Sequence, residues 1–349
     1  MSEQFLYKPF SQININDPFF TSLKKDYKEF ENWFIKKSNS GEGAFIQLVD
    51  NSLEGFLYLK EEMGPITDIT PTLNCSKAIK IGTFKINPHG TRLGERFIKK
   101  SIDFAINNSV DHIYVTIFSH HDYLLNMFKK YGFKVHGLKT TPNGTENVLV
   151  KCISEIDNNI LLDYPKLNTS SDAFLLGIKP EYHTNLFPDS KLFNEKFDVL
   201  RDVSHTNSIT KIYIAKMSGM SAIKPGDNLI IYRTSDHQGP ARFRSVATTA
   251  CTVIDTKRIT DFPDFISIKS YCKNYSIFSD EELNSFLRSG ESYYVIKMTY
   301  NVSLNKRIIQ GRLKDEVGLN PAYWGFTRLT NQQFNSILSL GEVNTSYFI

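Results

Sequence analysis

Between residues 17 and 38, apolar side chains recur at Phe19, Leu23, Tyr27, Phe30 and Phe34, three or four positions apart, so one stripe of a helix carries them all. Asp17 stands where an N-cap belongs and Pro18 in the first turn, which predicts a helix over 17–38. The period then shortens. "GAFIQLVD" (43–50), "EGFLYLKEE" (54–62) and "KAIKIGTFKI" (77–86) are strand-like runs, the first two joined by the turn "NSLE", and together they predict an antiparallel meander. Helical spacing returns at 93–108 and a buried strand follows at 111–118. "HDYLLNMFKKYG" (121–132) reads as a helix ended by a C-cap glycine, before two last strands at 133–139 and 146–153.

Polar and turn-forming residues dominate 154–172, which places a linker at 156–171 between a first domain over 1–155 and a second over 172–349. Beyond the linker the texture changes. Short apolar runs such as "KIYIAKM", "NLIIYRT" and "SYYVIKMTYNVSL" follow one another with helices at 278–288 and 330–339, the pattern of a small β-barrel with peripheral helices. The expected class is therefore α+β: an N-terminal mixed sheet flanked by helices, then the barrel.

Composition supports two globular domains and excludes a disordered chain. The 349 residues are 41% hydrophobic and 22% charged, ample for two cores. The net charge of +4 divides as about +1 over the first 160 residues and about +3 over the rest, a mild tilt of any anionic partner towards the C-terminal half. Cys75, Cys152, Cys251 and Cys272 are far apart, with no CxxC pair and no histidine at ligand spacing. Neither a metal site nor a disulfide frame is expected, and a reducing cytosol fits. The N-terminus lacks a basic region followed by an apolar one, and no apolar run approaches the ~18–20 residues of a membrane span, so a cytoplasmic protein is expected.

"NPHGTRLGER" (87–96) raises the first question of chemistry, because it links a strand to a helix through a proline and two glycines four apart. Taken alone it is either a phosphate cradle or a tight connection. A cradle needs backbone N–H groups converging at a helix N-terminus, where the macrodipole favours negative charge. The order of elements over 1–155 resembles the GNAT (Gcn5-related) N-acetyltransferases, whose pyrophosphate motif, Gln/Arg-x-x-Gly-x-Gly/Ala, falls on His89-Gly90-Thr91-Arg92-Leu93-Gly94 after the strand end Ile86-Asn87-Pro88. His89 occupies the Gln/Arg position and Arg92 the first glycine, while Gly94 is retained. "HHDYLLNMFKKYGF" (120–133) resembles the family's second landmark, with Gly132-Phe133 in place. Phe128 stands where a tyrosine often protonates the CoA thiolate, and it has no proton to give.

The resemblance implies acetyl-CoA as co-substrate and direct acetyl transfer to an amine. Backbone N–H groups near Phe84 and Ile86 would bind pantetheine and polarise the thioester carbonyl, and His89, Gly90, Thr91, Arg92, Leu93 and Gly94 would surround the pyrophosphate. Arg92 either adds a charge-assisted contact or crowds the loop; His89 either belongs to that site or satisfies loop carbonyls. Glu61 or Glu62 matches the usual general base near a strand end. His120 and His121, after the strand 111–118, are alternatives, since an imidazole with pKa near ~6.5 suits an ammonium substrate; they also read as a helix N-cap and a solvent-facing first turn. Tyr131, Tyr123 or a water would replace the missing acid, and Tyr131 reads equally as an aromatic packed beside Phe133.

In the C-terminal half, Lys224-Pro225-Gly226-Asp227 predicts a type II turn with Gly226 at positive φ. That turn, the strand after it and the later run "ATTACTVID" resemble the PUA/ASCH/EVE superfamily of small barrels over roughly 172–345. The signature of catalytic ASCH members, Gly-x-Lys-x-x-Glu-x-Arg, is absent, which implies a binder rather than a hydrolase. Arg233, Arg242, Arg244, Lys306, Arg307 and Arg312 fall on adjacent predicted strands or loops, interleaved with Tyr232, Phe243, Tyr323 and Trp324. Cations hold phosphates and aromatics stack bases, so RNA (tRNA above all) or another nucleic acid is the expected partner; the alternative is a solvated barrel face. His183, beside a Leu-Phe-Pro turn, either lines a cleft between the domains or staples the linker onto the barrel.

Two functions follow from these resemblances. The first is an acetyl-CoA-dependent N-acetyltransferase acting on an RNA-associated amine: a base, the aminoacyl group of a tRNA, or an RNA-bound protein. The tRNA case would suit a toxin or defence role. The second is a non-catalytic, CoA-sensing protein that regulates through RNA or DNA, because His89, Arg92 and Phe128 depart from the family pattern.

Overall fold

The computed structural model describes residues 3–190 and 203–349, and its contacts divide the chain into two compact units, Met1–Asp163 and Tyr164–Ile349. The first unit runs β1 (Glu3–Pro9), α1 (Thr21–Asp26), α2 (Phe30–Asn39), β2 (Gly43–Val49), β3 (Ser52–Met63), β4 (Lys77–Ile86), α3 (Leu93–Asn107), β5 (His112–Phe118), α4 (Asp122–Lys130), β6 (Lys134–Thr141) and β7 (Gly144–Cys152). Its seven-stranded sheet has the order β1-β2-β3-β4-β5-β7-β6, antiparallel except where β4 meets β5.

Two elements depart from expectation. β1 was not predicted, because the consecutive apolar residues Phe5-Leu6-Tyr7 lack the alternation of a half-buried strand. It pairs in register with β2 from Glu3↔Val49 to Pro9↔Gly43. The single helix over 17–38 is instead three pieces. Asp17 does cap, accepting the Phe19 N–H at 2.8 Å, but it opens a short 3-10 turn, Pro18–Phe20, that leads into α1. The chain then extends at Tyr27 (φ −127°, ψ 102°) before α2 begins. The Tyr27 hydroxyl donates to Glu146 Oε1 on β7 at 2.7 Å, a tertiary bond outside the reach of any local helix rule. The apolar stripe still goes inward: Phe19, Phe30 and Phe34 join Phe10, Phe20 and Phe56 in an aromatic core with edge-on contacts, such as Phe10–Phe34 at 4.8 Å and Phe20–Phe56 at 5.3 Å. On α3, Phe97, Ile98, Ile102, Ala105 and Ile106 are all fully buried, so this helix is fixed firmly against the sheet.

The second unit runs β8 (Ala173–Ile178), α5 (Pro180–Leu186), α6 (Ser204–Asn207), β9 (Thr210–Ala215), β10 (Asn228–Arg233), α7 (Ala241–Arg244), β11 (Val246–Arg258), α8 (Phe265–Cys272), α9 (Asp280–Arg288), β12 (Tyr294–Ile309), α10 (Gln310–Asp315), β13 (Phe326–Leu329) and α11 (Asn331–Leu340). Its mixed sheet has the order β13-β8-β10-β11-β12-β9. β11 and β12, the longest pair, change register at three points, and such bulges increase local twist. The expected turn is present, with Gly226 at φ 92° and the Asp227 N–H donating to the Lys224 carbonyl at 3.1 Å. α9 and α11 coincide with the predicted helices, each opened by a capping box, Ser279 with Glu282 and Thr330 with Gln333. The α+β class with flanking helices is as expected, and the strands expected as a small barrel form a six-stranded mixed sheet. Among the described residues no helix is long and apolar enough to cross a membrane.

Candidate active site

The site begins with one extra residue. In the β3/β4 ladder Tyr58 pairs with Thr83 and Leu59 with Ile81, so Gly82 has no partner: it is a β-bulge. A Cβ at this position would lie 2.7 Å from Tyr58 Cδ1, which is why glycine stands there. The parallel pairing of β4 with β5 spans Ala78–Ile81 against His112–Val115 and ends at the residue before the bulge. Past it the strands part, and a cavity of about 590 Å³ opens, walled by Thr83, Phe84 and Ile86 of β4, Thr116 and Phe118 of β5, and Met127 of α4.

The loop after β4 brings the chain to the N-terminus of α3. Gly90 takes φ 74° and Arg92, the N-cap, φ 59°, so both lie in the left-handed region, where a non-glycine residue is uncommon. Arg92 does not extend outward. Its guanidinium pairs with Glu95 in the first turn, and Lys130 reaches the same buried carboxylate at 3.2 Å, leaving one anion between two cations beneath the helix start. His89 Nε2 lies 2.7 Å from Glu54 Oε2, which also accepts from the Asn87 amide at 2.8 Å. Leu93 is buried, and a Cβ on Gly94 would meet Met127 Cε at 2.6 Å, so α3 and α4 approach closely here. Phe84 and Ile86 line the cavity.

The candidate bases separate cleanly. Glu62 and His121 line the cavity, while Glu61 pairs with Lys77 at 3.2 Å and does not. Burial opposes charge on Glu62, but hydrogen bonds from Tyr114 and Lys60 outweigh it and hold the carboxyl below its ordinary value. Burial and the neighbouring His120 lower the His121 pKa, so its imidazole is neutral at physiological pH. His120 stacks on Phe118 with ring centroids 5.6 Å apart, and its ring is 4.1 Å from that of His121. Tyr131 is fully buried at the end of α4 and is absent from the cavity wall, which removes it as a proton donor; Tyr123 lines the cavity and is 74% exposed. Phe128, also fully buried, packs against Phe84 (5.2 Å) and Phe133 (4.9 Å) and is a core residue.

Sequence reasoning missed three tyrosine–carboxylate pairs at the cavity: Tyr27–Glu146, Tyr58–Glu42 and Tyr114–Glu62. Burial first, then the carboxylate, pushes each phenol well above its ordinary range. No local pattern announces them, since the partners are 119, 16 and 52 residues apart. The bulge did have a signal: a glycine inside the strand run "KAIKIGTFKI".

In the second unit the basic residues do not form one open face. Arg233 is only 5% exposed, and Arg307 donates to the Asp189 carbonyl at 2.8 Å and to that of Leu304, so both stabilise local backbone. Arg242 pairs with Asp315, Arg244 with Asp236, Lys306 with Glu342 and Arg312 with Glu316. Phe243, between Arg242 and Arg244, is 63% exposed; Tyr323 is also exposed, whereas Tyr232 is buried against Trp324. His183 is a core histidine of this unit, not a staple for the linker. Its Nε2 lies 2.8 Å from Thr248 Oγ1, and burial, with Arg233 and Arg307 nearby, pushes its pKa down to about 3.

No family model matches the chain, and no curated protein matches it in sequence. Solved structures do resemble it in fold. The ASCH protein of Zymomonas mobilis is 11% identical, over 48% of this chain and 94% of that one, with a TM-score of 0.34. The IAA acetyltransferase of Bacillus cereus is 11% identical over 43% of this chain and 99% of that one (TM-score 0.34), and Ard1 of Thermoplasma volcanium is 12% identical over 44% and 100% (TM-score 0.35). Each of these likenesses covers somewhat under half of this chain.

Proposed function

We propose that the first unit is an acetyl-CoA-dependent N-acetyltransferase and that the second recruits RNA carrying the acceptor amine. The observation that supports this reading most strongly is the parting of β4 and β5 at the Gly82 bulge, with the cavity behind it. A strand edge that loses its neighbour offers N–H and C=O groups to an extended ligand, and the pantetheine arm of acetyl-CoA is such a ligand. Its pyrophosphate would reach the N-terminus of α3, where the dipole carries about half a positive charge. Arg92 and Lys130 both pair with Glu95 beside it.

The acceptor enters as an ammonium, attracted by the ionised carboxylate of Glu62 in the cavity wall. Neutral His121 takes its proton, and the free amine attacks the thioester carbonyl, whose oxygen is polarised by β4 backbone N–H groups. The C–N bond forms as the C–S bond breaks, the nitrogen releases its second proton to solvent, and Tyr123, itself reprotonated from solvent, gives the departing thiolate its proton. In the second unit Arg242 and Arg244 flank the exposed Phe243, so phosphates displace Asp315 from an exposed ion pair worth little on its own, and Asp236 from a half-buried one, while a base stacks on the ring. An aminoacyl-tRNA acceptor would make the protein a toxin or defence factor.

Incubation with labelled acetyl-CoA and total cellular RNA, and in parallel with a protein extract, followed by mass spectrometry, tests both halves. Acetylated RNA, or acetylation confined to RNA-bound protein, is expected. Label on free protein alone overturns RNA recruitment. Absence of both label and thiol release overturns the enzyme and favours the CoA-sensing regulator.

A further inference from the structure

At the end of β5 remote from the cavity, three side chains converge that spacing rules for metal ligands overlook. His112 and Cys152 are direct partners across the antiparallel β5/β7 ladder, which places their side chains side by side on one face of the sheet. Asp111, immediately upstream, lays its carboxylate beside both: Oδ2 is 3.1 Å from Cys152 Sγ and 3.9 Å from His112 Nδ1. One ligand atom from each residue lies within 4.8 Å of the other two, and all three residues are half-buried. Ser154 fixes the carboxylate, donating its N–H to Oδ1 at 2.8 Å and its hydroxyl to Oδ2 at 2.7 Å.

We propose that Asp111, His112 and Cys152 bind a divalent transition-metal ion of the Zn²⁺ class, with water completing the tetrahedron. A thiolate, an imidazole and a carboxylate are the donors such an ion selects. Bond lengths of about 2.0–2.3 Å put tetrahedral edges at roughly 3.3–3.6 Å, so the observed separations need only small side-chain rotations. Ser154 supplies the outer hydrogen bonds that orient a ligating carboxylate. A cysteine nucleophile is the competing reading, and the surroundings oppose it: burial above all, with Asp111 alongside, pushes the Cys152 thiol up, whereas a nucleophile needs it lowered. A cation within the triangle reverses that balance; the thiol loses its proton to solvent and the sulfur binds as thiolate. Three residues of strand, about 10 Å, separate His112 from Val115, the first residue of β5 on the cavity wall. The ion therefore clamps the start of β5 to the end of β7 and takes no part in acetyl transfer.

Cobalt(II) added to the reduced full-length protein gives the test. One equivalent is expected to produce a thiolate-to-cobalt charge-transfer band in the near ultraviolet, which Zn²⁺ bleaches. Cys152→Ser should abolish the band and Ser154→Ala weaken binding about 10-fold. The nearby grouping of Asp26, His120 and His121 has no sulfur, so His121→Ala should leave the band intact. Lack of a band at millimolar cobalt, or a band that survives Cys152→Ser, overturns the proposal. If Cys152→Ser does not fold, Asp111→Asn decides: a 10-fold or greater loss of cobalt affinity supports the site, and unchanged affinity overturns it.

Discussion

Gly82 and Tyr58 are packed so closely that a Cβ on the glycine would lie 2.7 Å from the tyrosine ring, and that contact sits at the point where β4 leaves β5. Gly82→Ala must push the Tyr58 ring, itself wedged against Phe10 and Trp33, or shift the strand. A loss of about 1–3 kcal/mol is expected from such overpacking, with weaker acetyl-CoA binding because the bulge moves. In a Tyr58→Ala background the same substitution should cost less. Urea denaturation of the four proteins of this cycle measures the coupling; strict additivity would show that the contact does not hold the bulge.

His121 acts as base only when neutral. Its folded pKa lies below its ordinary value, so kcat/KM should be flat above about pH 6.5 and fall as pH drops below that. His121→Gln should lower kcat by about 10²–10⁴-fold and remove this limb. A pH–rate profile from 5 to 8 checks it, and an unchanged limb in the variant would assign the proton to another group.

Much of the first unit was legible because its determinants are local. The stripe of α3, the strand-like runs of β2 and β3 and the glycine after α4 each act within a few residues. What escaped depends on partners distant in sequence: Tyr27 breaks a well-patterned helix to reach Glu146, and His112 meets Cys152 only through the β5/β7 register. Arg233 and Arg307 looked like surface cations because a sequence does not reveal which carbonyls a buried guanidinium serves. Conversely, Phe128 could be read at once as unable to donate a proton, and its burial adds only the reason it is apolar.

Replacing Arg242 and Arg244 together by Ala should weaken RNA binding and make the salt slope shallower by about two phosphate contacts. Arg242 is held by the exposed Asp315 and Arg244 by the half-buried Asp236, and neither arginine is buried, so the fold should survive. Fluorescence anisotropy between 50 and 200 mM salt, a range over which phosphate contacts weaken steeply, reads the slope. An unaltered slope would clear these residues.

His183 gives the second unit a pH-dependent stability. It is neutral in the fold, with a pKa near 3, but titrates at about 6.5 when unfolded, so between these values the unfolded chain binds the extra proton. Stability therefore rises with pH through this window and is lost as pH falls below about 6.5, at up to ~1.4 kcal/mol per pH unit. Urea midpoints at pH 5.0, 6.0 and 7.0 measure it. His183→Gln, though destabilised overall, should lose that part of the pH dependence.

Isothermal titration of the full-length protein with acetyl-CoA tests the central claim most directly. One site per chain is predicted for the native protein. No binding is predicted for Gly94→Arg, whose side chain would displace Met127 at the junction of α3, α4 and the cavity. Saturable heat that disappears in the variant would support the parted strands and the α3 N-terminus as the binding site. Absence of heat with the native protein, or equal affinity in Gly94→Arg, would contradict it.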